Sequence, residues 1–90
     1  MEILASPLFE EQLKDILEIL KEEDYEESKQ FKMYLDTIIV NAPTKAKKYK
    51  KSIYFDDENI KDIEFKGCTI PFLIDEAKDS YVILGITRKG

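Results

Sequence analysis

The chain has 90 residues, 43% of them hydrophobic and 37% charged, and a formal net charge of -5. That is enough for one small globular domain over residues 1–90, with a modest core and little room for a deep enzyme cavity. One cysteine, Cys68, excludes an internal disulfide framework, and the lack of histidine removes the commonest general base and any Cys/His zinc site.

Glu2–Ala5, apolar at Ile3 and Leu4, reads as a first strand. Ser6-Pro7 marks a helix start. The serine oxygen can accept from a first-turn N–H, and proline at the first helical position forfeits a bond that would not be made. Glu10 and Glu11 lie in the early turns, where carboxylates oppose the positive helix end. Phe9, Leu13, Ile16, Leu17 and Leu20 fall on one face at helical spacing, which predicts a helix from Pro7 to Glu22. Asp24 is expected to cap a second helix, with Glu27 as its capping-box partner. Phe31, Tyr34, Leu35 and Ile38 form the next apolar stripe, and Asn41-Ala42-Pro43 is expected to end it. A link of a residue or two makes the helices an antiparallel hairpin.

A lysine-rich connection and Asp56-Asp57-Glu58-Asn59 follow, with Ile53-Tyr54-Phe55 apolar enough to pack. The period then changes to two. Ile60–Phe65 reads as a strand and Lys66-Gly67 as a turn. In the next strand Cys68, Ile70, Phe72 and Ile74 alternate with Thr69, Pro71, Leu73 and Asp75. Pro71 cannot donate to a ladder and so implies an edge or a bulge. Tyr81–Thr87 is the last strand, with Val82, Leu84 and Ile86 on one face and Tyr81, Ile83 and Gly85 on the other. The expected core is Phe9, Leu13, Ile16, Phe31, Leu35, Ile38, Phe72, Ile74, Leu84 and Ile86. The order β-α-α-β-β-β predicts an α+β two-layer domain, a helical hairpin packed on an antiparallel sheet.

Charge is unevenly spread. Residues 1–42 carry 4 Lys against 11 Asp/Glu, residues 43–54 carry 5 Lys and no acid, and residues 55–90 carry 5 basic against 8 acidic groups. The acidic balance argues against indiscriminate nucleic-acid binding. Lys47, Lys48, Lys50 and Lys51 after the hairpin, with Arg88 and Lys89 after the last strand, are expected to converge as a local positive patch for an acidic partner. Read conservatively, the lysine run is a solvated connection.

Asp56-Asp57-Glu58 lacks the glycine and spacing of a calcium loop, so no metal or cofactor is expected. Cys68 is expected to be a buried, inert thiol, and Tyr81 a packing residue. The opening residues have no basic region or apolar stretch of signal-peptide length. The longest apolar run, Tyr81–Ile86, is far short of the roughly 20 residues of a membrane span. A soluble cytoplasmic protein is the expectation.

Three stretches together resemble the ParE/RelE superfamily of bacterial toxins from type II toxin–antitoxin pairs. They are Glu2-Ile3-Leu4-Ala5-Ser6-Pro7 with Phe9, Gln12-Leu13 and Ile16; Phe31 to Pro43; and Thr69–Asp75 with Tyr81–Arg88. The chain departs from the family in being acidic, and in carrying lysines where members commonly have arginines, with Lys61 matching the strand position. The resemblance implies a RelE/ParE-like fold, a cognate antitoxin as partner, and either DNA gyrase or the ribosome as target, with no small-molecule substrate. RelE-like members are similar to ribosome-dependent mRNA endonucleases, whose chemistry needs an acid–base set. ParE-like members are similar to gyrase inhibitors that act by binding. With no histidine and only Arg88 and Lys89 after the last strand, the resemblance implies the ParE type, with no catalytic residue and with Lys47, Lys48, Lys50, Lys51, Lys61, Arg88 and Lys89 as binding residues.

Overall fold

The computed structural model describes residues 2–89. Strand β1 (Glu2–Ala5) leads into α1 (Pro7–Glu23) and α2 (Tyr25–Lys45). A 3-10 turn (Ala46–Lys48) follows, then β2 (Lys50–Lys51), β3 (Ile60–Phe65), β4 (Cys68–Asp75), β5 (Ser80–Ile83) and β6 (Thr87–Arg88). The result is an α+β domain in which two helices cover one face of a six-stranded sheet ordered β1-β5-β4-β3-β2, with β6 also on β4.

The helix starts follow their capping chemistry. Ser6 Oγ accepts from Phe9 N–H at 3.0 Å, with Pro7 at the first helical position. Asp24 alone separates the helices. Its extended backbone sends N–H to Leu20 O at 2.7 Å, while its Oδ1 accepts from Glu26 and Glu27 N–H at 3.1 and 3.3 Å. Because that backbone N–H closes α1, it is not capped by Glu27, so the expected reciprocal box is half made.

α2 does not end at Pro43 but runs through it to Lys45. Proline inside a helix loses one N–H bond and crowds the preceding turn. Here Ala42 and Ala46, on either side of it, are both buried in the core, and tertiary packing outweighs the local preference.

The sheet is mixed rather than antiparallel. β1 pairs parallel with β5, Glu2 with Ser80 through Ala5 with Ile83, while the other pairings are antiparallel. The whole chain from the hairpin to the Asp79 turn is the crossover that a parallel neighbour requires. At the Lys66-Gly67 turn both residues have positive φ, 45° and 78°, as a two-residue hairpin demands.

The final strand is broken, and the break decides which side chains are buried. Phe72 pairs with Ile83, but Thr69 pairs with Thr87, so three steps along β4 face four on the returning chain. The extra residue is a bulge at 84–86. Pro71 therefore sits at a bulge, as one alternative required, yet on a central strand rather than an edge. Its carbonyl accepts Leu84 N–H at 2.9 Å, so the face without a proline N–H looks into the break. Tyr81 and Ile83 turn toward the helices, Val82 and Leu84 turn away, and the added residue resets the alternation so that Ile86 is again inward at 1% exposure. Leu84 is consequently only half-buried, as are Ile38 and Ile74; the other expected core residues are buried. Phe72, fully enclosed, lies between Tyr49 and Tyr81, with ring centroids 5.6 and 6.0 Å away.

α1 holds the bulge. Ser6 N–H donates to Ile83 O at 3.0 Å and its hydroxyl to Leu84 O at 2.8 Å, and Gln12 Oε1 accepts Ile86 N–H at 2.9 Å. A Cβ on Gly85 would lie 2.7 Å from that same Gln12 oxygen. The amide end can swing aside, but only by giving up Ile86. Gln12→Ala and Gly85→Ala should therefore each cost about 1–2 kcal/mol, the penalty for orphaning an N–H group. In the Gln12→Ala background Gly85→Ala should add less than about 0.5 kcal/mol. Urea unfolding of the four proteins measures the cycle; fully additive costs would contradict the shared bond.

Candidate functional site

The basic residues are placed by three elements. Ala46 is buried and anchors the 3-10 turn, leaving Lys47 and Lys48 exposed. β2 then pairs Lys50 with Asp62 and Lys51 with Lys61. Lys51 and Lys61 are cross-strand neighbours of like charge, an arrangement that is unfavourable unless a counter-charge is near. Asp56 supplies one, with Oδ1 3.2 Å from Lys51 Nζ. Arg88 pairs with Cys68 on β6, and Lys89 Nζ lies 3.5 Å from Glu64 Oε2.

These residues form two groups. Lys61 and Arg88 are separated by two strand spacings and four residues along β4, about 16 Å at standard sheet dimensions. That is roughly twice the screening length at physiological salt. Lys50, Lys51 and Lys61 gather at the β2–β3 edge, with Lys47 and Lys48 just before it in the chain. Arg88 and Lys89 stand apart on β6.

The other singled-out groups are structural. Tyr81 is buried and stacked on Phe72. Cys68 is 1% exposed, and burial pushes its thiol above the ordinary value, with Glu64 adding and Arg88 opposing. Asp57 Oδ1 accepts Asn59 N–H at 2.8 Å, a local turn bond, and Asp56 is engaged by Lys51. Among the described residues no group of three or more His, Cys, Asp or Glu is placed to hold a metal. No helix among them is long and apolar enough to cross a membrane.

The sheet face away from the helices carries a feature that the sequence reading missed. Register aligns Leu4, Val82, Leu73 and Ile60 in one row across β1, β5, β4 and β3. Beyond it Leu84 and Pro71 line a hollow of about 210 Å³ with Leu8, Gln12, Tyr54 and Phe55. The available signal was that β4 and β5 are apolar at both parities, Leu73 and Val82 included, where a half-solvated strand would alternate with polar residues.

No protein-family model matches this chain, and no curated protein matches it in sequence.

Lys48, Lys51 and Arg88 are exposed. Reversing all three charges should shift Tm by less than about 4 °C, since exposed charges contribute little to stability. Calorimetry checks this; a larger fall would assign these residues a structural role.

Proposed function

We propose that this chain is the toxin-like component of a type II toxin–antitoxin system, of the ParE type. It acts in the cytoplasm by binding a DNA-transaction target such as gyrase and is neutralised by a cognate antitoxin. The observation that carries the reading is a two-helix hairpin on one face of a sheet, placed after a first strand and before the remaining strands. Tyr81 supports binding over chemistry: packed on Phe72, it is poorly placed to deliver a proton to a substrate. An mRNA endonuclease of the RelE type would gather cations around one scissile phosphate, whereas the Lys61 and Arg88 backbones lie on different strands about 16 Å apart.

A second reading, a non-toxic interaction domain of the same fold, is favoured by one observation, the net charge of -5. Phosphate-bearing targets are repelled by such a body except at its local basic groups.

Expression in a bacterial host that lacks a partner separates the readings. Growth arrest, relieved by co-expressing the product of an adjacent gene, is the expected result. The purified chain should inhibit gyrase supercoiling and leave mRNA intact on translating ribosomes. Normal growth with folded protein present would select the non-toxic reading. Ribosome-dependent cuts lost in Lys61→Ala or Arg88→Ala would select the endonuclease.

A further inference from the structure

The helical hairpin covers only one face of the sheet. On the other face the row Leu4–Val82–Leu73–Ile60 runs across four strands. Leu4 is 42% exposed, Val82 and Leu73 are half-buried, and Ile60 is buried. At about 4.8 Å per strand the row is about 14 Å long, the length of nine or ten helical residues. The adjoining hollow of about 210 Å³ is below the roughly 300 Å³ of small-molecule pockets and fits one large side chain. Its rim residue Tyr54 is 55% exposed.

Carboxylates flank this band. Glu2 and Asp75 share the face one row to one side, and Asp62 and Glu64 lie on the other. The cations on this side are fewer: Lys50 across from Asp62, and Lys89, which is held by Glu64. Asp62 Oδ2 accepts Ile53 N–H, but its Oδ1 is enclosed with no hydrogen-bond donor among the described residues. A second copy of the chain laid on this face would set one acidic rim against another. A cationic partner would meet opposite charge around an apolar centre.

We propose that this sheet face is a docking surface for a basic amphipathic helix of a partner protein. Its apolar stripe lies along Leu4, Val82 and Leu73, one side chain enters the hollow beside Tyr54 and Phe55, and its lysines or arginines face Glu2, Asp75 and Asp62. The proposal does not depend on the toxin-like reading, whose test concerns growth and gyrase.

The probes are three synthetic peptides of about 18 residues: a Lys/Leu peptide with leucines at helical spacing, a scrambled peptide of the same composition, and a Glu/Leu peptide with the first spacing. Each is titrated into the full chain, labelled for NMR, at low and high salt. The Lys/Leu peptide should bind at least roughly tenfold more tightly than the scrambled one, more weakly at high salt, and shift the signals of Leu4, Leu73 and Val82. Leu73→Thr with Val82→Thr, which keeps strand propensity, should remove that preference. Tyr54→Ser with Phe55→Ser, changes on an exposed loop, should weaken it, and stands in if the first variant unfolds. Equal binding of the scrambled or the Glu/Leu peptide would overturn the proposal, as would shifts confined to the helices. So would self-association that moves the same signals, since it would make a second copy the occupant.

Discussion

Between Ile83 and Thr87 the backbone has one residue more than β4 can match, and two side chains, Ser6 at the N-cap of α1 and Gln12 within it, hold it in place. Ser6 is at once the cap of its own helix and the donor to Leu84 O. Gln12, a turn and a half further on, takes the Ile86 N–H that no strand partner receives. The helix start and the sheet's irregularity are thus one hydrogen-bonded unit, joining residues 74 and 78 positions apart. Local capping chemistry from the first turn fixes the geometry of the chain's end.

That constraint sorts the side chains between the two faces. A continuous strand would put Val82, Leu84 and Ile86 together; the inserted residue sends the first two to the free face and Ile86 to the core. The hairpin side then closes around Phe72 and Ile86. The free side keeps Val82 and Leu84, the residues that extend its apolar band into the hollow. Gly85 leaves room for the Gln12 amide, and Pro71 points its missing donor into the break, so both residues suit the irregularity.

The sequence is most legible where local chemistry is sufficient. Ser6-Pro7 and Asp24 set the helix starts through caps, Lys66-Gly67 sets the tight turn, and the 3.6-residue stripes of Phe9, Leu13, Ile16, Phe31 and Leu35 face the core as read. Reading fails where a distant partner decides. Pro43 reads as a stop, but Ala42 and Ala46 are buried in a core assembled from both helices and distant strands. The parallel β1–β5 pairing and the identity of the inward face in the last strand depend on contacts that no local period encodes. The basic residues were found by composition, but only strand register shows that Lys51 and Lys61 adjoin while Arg88 lies two strands away. The apolar free face is legible as Leu73 and Val82 at positions where a half-solvated strand would be polar, and is obscured by placing Val82 on one face with Leu84 and Ile86.

The bond between Gln12 and Ile86 clamps the bulge, and hydrogen exchange at the Ile86 amide tests it directly. Held by Gln12 beside a buried side chain, this N–H should exchange only through global unfolding, as slowly as the amides of β4. Exchange at the rate of an exposed loop amide would show that the bulge is not clamped, and that the sorting of the last strand between the two faces has another cause.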